Sequence, residues 1–183
     1  MKGSKELSQS TRIIGIDPGS RYTGFGIIDR AGNRLKYIHS GVICCNKELD
    51  LSEKLVLIFD GIYEQIEKFQ PQNGSIERIF HSVNAKTSLV LGHARGAALL
   101  AMKKKGLNIS EHAPTEVKSA VVGIGKASKE QVSAMVKILL NIDRNLKMRD
   151  DESDALAVAI CYANMKNFNN FCRTGSVPLK GVS

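Results

Sequence analysis

Residues 12–17 (RIIGID) restrict the architecture of this chain more than any other segment. They form a short apolar run that suits a buried strand, closed by a carboxylate and then by Pro18 and Gly19, which turn the chain. Residues 22–29 (YTGFGIID) read as a second strand. The turn residues Ala31, Gly32 and Asn33 lead into a third at residues 35–45, where apolar and polar positions alternate. The chain therefore opens as an antiparallel meander with Asp17 at the end of its first strand.

The pattern then changes period. Leu51, Leu55, Ile58, Phe59, Ile62, Ile66 and Phe69 share one face of a helix that must end before Pro71. Residues 75–80 (SIERIF) predict a fourth strand, residues 85–105 a helix, and residues 107–112 a fifth strand, so the sheet is mixed and the class is α/β. Pro114 begins another helix, Gly123 and Gly125 interrupt it, residues 129–140 resume it, and a last helix spans residues 151–167. One domain is expected over residues 12–170, with flexible segments at 1–11 and 171–183.

Composition agrees with a globular nucleic-acid binder without requiring one. In 183 residues, 43% are hydrophobic, which excludes disorder. Lys and Arg number 26 against 18 acids, for a net charge of +8. Ten of those basic residues and only four acids fall in residues 103–149, as a polyanion-binding surface would have it. No apolar stretch approaches the ~20 residues a membrane helix needs, and the first ten residues lack the apolar core of a signal peptide, so a cytoplasmic location is expected. Cys44, Cys45, Cys161 and Cys172 contain no CxxC spacing and read as small buried hydrophobes. His93 and His112 have no metal-ligand spacing and read as packing or hydrogen-bonding residues.

The acids at element ends carry more information. Asp17 follows Ile-Gly-Ile, Glu77 follows Ser-Ile, and Asp154 precedes Ala-Leu-Ala-Val-Ala-Ile. Asp151 and Asp154, three apart, project from one helix face. Acids in a first helical turn also serve the helix dipole and the cap. A carboxylate in apolar surroundings is nonetheless costly unless paired, hydrogen-bonded or bound to metal. If the four converge, their repulsion raises some of their pKa values until a divalent cation neutralises them. All-oxygen ligation suits Mg2+ or Mn2+. Beside a phosphate-attracting surface, such a cluster suits two-metal phosphodiester hydrolysis.

Four segments resemble the bacterial Holliday-junction resolvase (RuvC) family, in order and with its spacing: IGIDPGSRYTGFGII, IERIFHSVNAKTSLVLGHARG, VKSAVVGIGKASKEQV and DESDALAVAI. The resemblance implies a ribonuclease H-like fold with a five-stranded mixed sheet flanked by helices. It also implies a homodimer that nicks two strands of a four-way DNA junction symmetrically, in recombination and repair, leaving 5′-phosphates. It places Asp17, Glu77, Asp151 and Asp154 on the family's carboxylates, which would hold two Mg2+ ions with Mn2+ as a substitute. Asp150, four residues before Asp154, is an alternative to Asp151. The branch-migration proteins RuvA and RuvB are the implied partners.

The same resemblance gives Phe80 the role of stacking on an unpaired base, although His81, Ser82 and Val83 depart from the expected loop. Lys118 is expected to steady a DNA phosphate and Lys129 to stabilise charge developing on phosphorus. Lys126 and Arg21 are further phosphate-contact candidates. Gly92, Gly96 and Ala97 suit either internal packing or a helix contact across a dimer axis. Other readings stay open: an actin-like or sugar-kinase ATPase, for which GIDPGSRYTG is suggestive but a second such domain is missing; a junction binder without catalysis; and a related nuclease acting on RNA.

Overall fold

The structure, a computed structural model, describes residues 10–78, 85–143 and 145–174, with side chains through Met165. Three antiparallel strands open it: β1 (Thr11–Asp17), β2 (Tyr22–Ala31) and β3 (Arg34–Cys44). Helix α1 (Leu51–Phe69) returns the chain to β4 (Asn73–Glu77), and α2 (Ala85–Lys104) leads to β5 (Asn108–His112). Helices α3 (Pro114–Val122), α4 (Lys129–Leu139) and α5 (Asp150–Thr174) follow. The sheet order is β3-β2-β1-β4-β5, with β4 parallel to β1 and β5 parallel to β4. This is the five-stranded mixed sheet expected from the sequence.

Local chemistry fixes the boundaries. Asp50 caps α1, accepting from the Glu53 N–H, while Glu53 accepts from the Asp50 N–H. Gln70, left-handed at φ 51°, ends that helix one residue before Pro71. Ser128 and Gln131 make the same reciprocal pair at the start of α4. Gly123, at φ 85°, closes α3 in a conformation few side chains tolerate.

Three expectations need correction. β4 starts at Asn73 and ends at Glu77, so Arg78 already lies beyond the strand, its N–H bonded to the His112 carbonyl. Helix α5 continues past residue 167 to Thr174, into the segment assigned to the tail, because no Gly or Pro interrupts it before Gly175. Cys44 is exposed at the end of β3, whereas Cys45 and Cys161 are buried as expected. Burial pushes the Cys161 thiol up to about 12, which leaves it as inert packing.

The period-two alternation of the strands sorts two cores onto opposite sheet faces. Ile14, Ile16, Phe25 and Ile27 pack with Ile58, Ile62 and Ile66 of α1 and Ala98, Ala101 and Met102 of α2. Ile13 and Ile28 point the other way, to α5. Every residue from Ala155 to Ala163 is buried, because α5 lies between the sheet and the pair α3 and α4. Gly15 and Gly24 let α5 settle directly on the strands. A Cβ at Gly15 would stand 2.2 Å from the Ala155 carbonyl oxygen, and one at Gly24 would stand 1.9 Å from that of Asp151.

Candidate active site

The seating of α5 on glycine brings its first turn to the end of β1. Two buried polar contacts set its register against β4: Ser75 Oγ donates to the Val158 carbonyl at 3.0 Å, and Tyr162 Oη donates to Asn73 Oδ1 at 2.7 Å. The pairing of Ile16 with Ile76 sets Asp17 and Glu77 side by side at the ends of β1 and β4, and the first turn of α5 brings Asp154 to both. Sequence reasoning passed over these contacts, and over Arg95, whose Nε donates to the Glu77 carbonyl at 3.1 Å. Their only signal is a polar residue at an otherwise apolar position.

A cavity of about 300 Å3 opens where these elements meet. Asp17, Glu77 and Asp154 line it with Lys118 and Lys129, and Pro114, Val117, Val132 and Ala157 complete its wall. The apolar wall and the mutual proximity of the acids show in their protonation. Burial, reinforced by the charges of Asp154, Glu77 and Asp151, pushes Asp17 up to about 7 against the opposing pull of Lys129. Burial and Asp154 also raise Glu77, while Lys129 and Lys118 hold it down. Lys129 Nζ donates to Asp154 Oδ2 at 3.1 Å, and that bond raises the lysine.

The crowded acids of residues 150–152 separate by partner. Asp150 is exposed and lines a neighbouring groove of about 580 Å3 with Lys129, Ser133 and Lys137. Glu152 turns toward β3, accepting from Ser40 Oγ at 3.0 Å. Asp151 stands close enough to raise Asp17, and Asp150 is among the charges that raise Lys129. Its carboxylate does not line the cavity, and lies 3.5 Å from Arg149 Nε. Among the described residues no three His, Cys, Asp or Glu side chains stand close enough to share one ion, and Asp154 and Asp151 are instead engaged by Lys129 and Arg149.

The remaining candidates divide. Lys118 belongs to the cavity, whereas Lys126 is exposed and outside its lining. Arg21 is exposed, its guanidinium 5.0 Å from the centre of the Tyr22 ring. Phe80 and the 81–84 loop lie outside the described residues. His112 is buried, with Nε2 unbonded and its pKa lowered by that burial, while His93 is exposed on α2. Ala97 packs in the core with α1, but a Cβ at Gly92 or Gly96 would meet nothing within 4 Å. No described helix is long and apolar enough to cross a membrane.

Comparison with known proteins is consistent across sequence and structure. Residues 13–162 match the family described as crossover junction endodeoxyribonuclease RuvC. The protein of that name from Geobacter metallireducens is 45% identical over 163 residues, covering 89% of this chain and 98% of its own. That from Rhizobium etli is 40% identical over 164 residues, covering 89% and 95%. Among solved structures, Thermus thermophilus RuvC in complex with Holliday junction substrate superposes with a TM-score of 0.80 at 26% identity, over 87% of this chain and 96% of that one. The yeast mitochondrial Holliday junction resolvase Ydc2, at 15% identity and a TM-score of 0.65 over 92% and 88%, shares the fold.

Proposed function

The chain belongs to the RuvC family of crossover junction endodeoxyribonucleases, with the ribonuclease H-like fold and the resolution of four-way DNA junctions in recombination and repair that go with it, and we propose how its residues perform that reaction. The observation that carries the proposal is the cavity shared by three acids and two lysines.

Hard carboxylate oxygens, one of them held near neutrality by burial and like charge, suit a divalent cation. Asp17, Glu77, Asp151 and Asp154 would hold two Mg2+ ions, with Mn2+ able to substitute. Held there, such ions would supply activation of a water and charge stabilisation at the leaving oxygen, for hydrolysis to a 5′-phosphate and a 3′-hydroxyl. The lysines do the rest of the electrostatic work. Lys118, on the cavity wall, steadies the scissile phosphate. Lys129, freed from Asp154, turns to the charge that develops on phosphorus. Lys126 and Arg21 add phosphate contacts on the approach, and Phe80 stacks on a base unpaired at the branch point.

Paired cuts need two such sites, and α1 and α2 offer the surface for a homodimer. An apolar groove of about 670 Å3 runs between them, lined by Leu55, Val56, Phe59, Leu89 and Leu100 beside Gly92 and Gly96. Val56, Leu89 and Leu100 are more than half exposed, and no contact among the described residues requires the two glycines. An isologous contact here relates two cavities by a two-fold axis, like the arms of the junction. The enzyme acts in the cytoplasm, downstream of the RuvA and RuvB branch-migration proteins.

The test is nicking of a synthetic four-way junction in Mg2+, alongside linear duplex and structured RNA. The wild type is expected to nick the junction symmetrically and spare the others, and the Asp17→Asn, Asp154→Asn double variant to bind without cutting. Full cleavage by that variant would overturn the roles assigned.

A further inference from the structure

A small basic and aromatic cluster stands immediately outside the cavity. The Arg149 guanidinium lies 4.2 Å from the centre of the Tyr22 ring, and that of Arg21 lies 5.0 Å from the same ring. Both arginines are held at the backbone. The Arg149 carbonyl accepts from the Glu152 and Ser153 N–H groups at 3.1 and 3.2 Å, starting α5, and the Arg21 carbonyl accepts from Cys45 at 2.9 Å. Their charged ends remain accessible, the Arg149 side chain being 49% exposed. A guanidinium resting on an aromatic ring has lost part of its rotamer freedom beforehand, and its planar fork matches a phosphodiester.

Within the chain that fork is already engaged, with Nε 3.5 Å from Asp151 Oδ2. Asp151 is also the one acid of the four that does not line the cavity. On the reading of these acids as a cation site, we propose that Arg149 is a contact for the DNA backbone and, before DNA arrives, a latch on Asp151. A phosphodiester that captures the guanidinium releases the Asp151 carboxylate to the cation. Junction and cation therefore bind cooperatively, each tightening the other by the same factor. Lys129 on Asp154 repeats the arrangement inside the cavity, so Asp151 and Asp154 both become available as phosphate enters.

Two measurements separate this from a purely structural ion pair. The first is Mn2+ binding to the DNA-free protein by calorimetry, and the second is junction affinity in EDTA across a salt series. Arg149→Ala is expected to tighten Mn2+ roughly two- to five-fold, the range of an exposed ion pair. The same substitution should reduce the slope of log affinity against log salt by about 0.9 for each protomer. Arg21→Ala removes a charge from the same ring but no ion pair with Asp151, so it should reduce the slope and leave Mn2+ affinity at the wild-type value. Arg34→Ala, at the far end of the β2–β3 hairpin, should change neither. Arg149→Gln repeats the reading with an uncharged chain of similar length, should the alanine variant unfold.

Weaker or unchanged Mn2+ binding in Arg149→Ala overturns the proposal, as does an unchanged salt slope or equal tightening by Arg21→Ala. A wild type that binds no Mn2+ overturns instead the reading of the acid cluster on which the latch rests, and does so before any variant is made.

Discussion

Asp17→Asn should destroy cleavage and at the same time stabilise the metal-free protein, by an amount that depends on pH. Burial and three neighbouring acids raise Asp17 from 3.8 to about 7. At 1.36 kcal/mol for each pKa unit, the ionised carboxylate costs the fold up to about 4 kcal/mol. The direction follows from linkage. The folded pKa lies above the unfolded one, so the protonated form is favoured by folding. Asp17 costs nothing below about pH 4, and the penalty accumulates as pH rises to about 7, then levels off. Asparagine has a similar shape and no charge to desolvate.

Urea unfolding in EDTA from about pH 4 to pH 8 therefore should show the variant matching the wild type at the acid end and exceeding it by up to about 4 kcal/mol at the alkaline end. Saturating Mg2+ or Mn2+ should close the gap, because an ion that binds only the folded wild type stabilises it by mass action. A stability difference independent of pH, or a wild type that is the more stable protein at pH 8 in EDTA, would show that Asp17 carries no such strain.

Gly24→Ala places a methyl group against the Asp151 carbonyl and must lift the start of α5. A loss of about 3 kcal/mol or more is expected by thermal unfolding, with cleavage reduced further than stability alone explains. Tyr162→Phe removes the buried hydrogen bond to Asn73 Oδ1 and should cost about 0.5–1.5 kcal/mol in the same assay. Lys129→Met should lower the cleavage rate about 100-fold in single-turnover kinetics while junction affinity changes little. Leu89→Asp with Leu100→Asp should give a monomer by sedimentation that unfolds like the wild type but leaves junctions nicked on one strand, since both side chains are exposed in the isolated chain.

Much of this architecture was readable because it depends on short-range pattern. The apolar run at residues 12–17 marks a buried strand locally, and Pro71, Pro114 and Gly123 punctuate helices within a residue or two. Asp17, Glu77 and Asp154 stood out because each breaks an apolar run. The sorting of Asp150, Asp151 and Glu152 was beyond reach of such pattern. It is decided by Arg149 on one side and by Ser40, 112 positions away from Glu152, on the other. Arg149 gave no signal of its own, since an arginine before a helix is ordinary until Tyr22 is known to lie beneath it. The seating of α5 was half visible: Gly15 and Gly24 read as strand glycines, but only the docked helix explains why a methyl group has no room there.

The dependence of the cavity on that docking governs when the enzyme comes into being. Strands β1 to β4 and helices α1 and α2 leave the ribosome first, carrying Asp17 and Glu77 but neither lysine of the cavity nor Asp151 and Asp154. Until α5 arrives, Ile13 and Ile28 have nothing to cover them and the glycine floor faces water. On the roles proposed above, a partly made chain is thus an incomplete sheet with half of a reaction centre. The cavity that would hold the reaction is therefore completed only with the burial of the last apolar face.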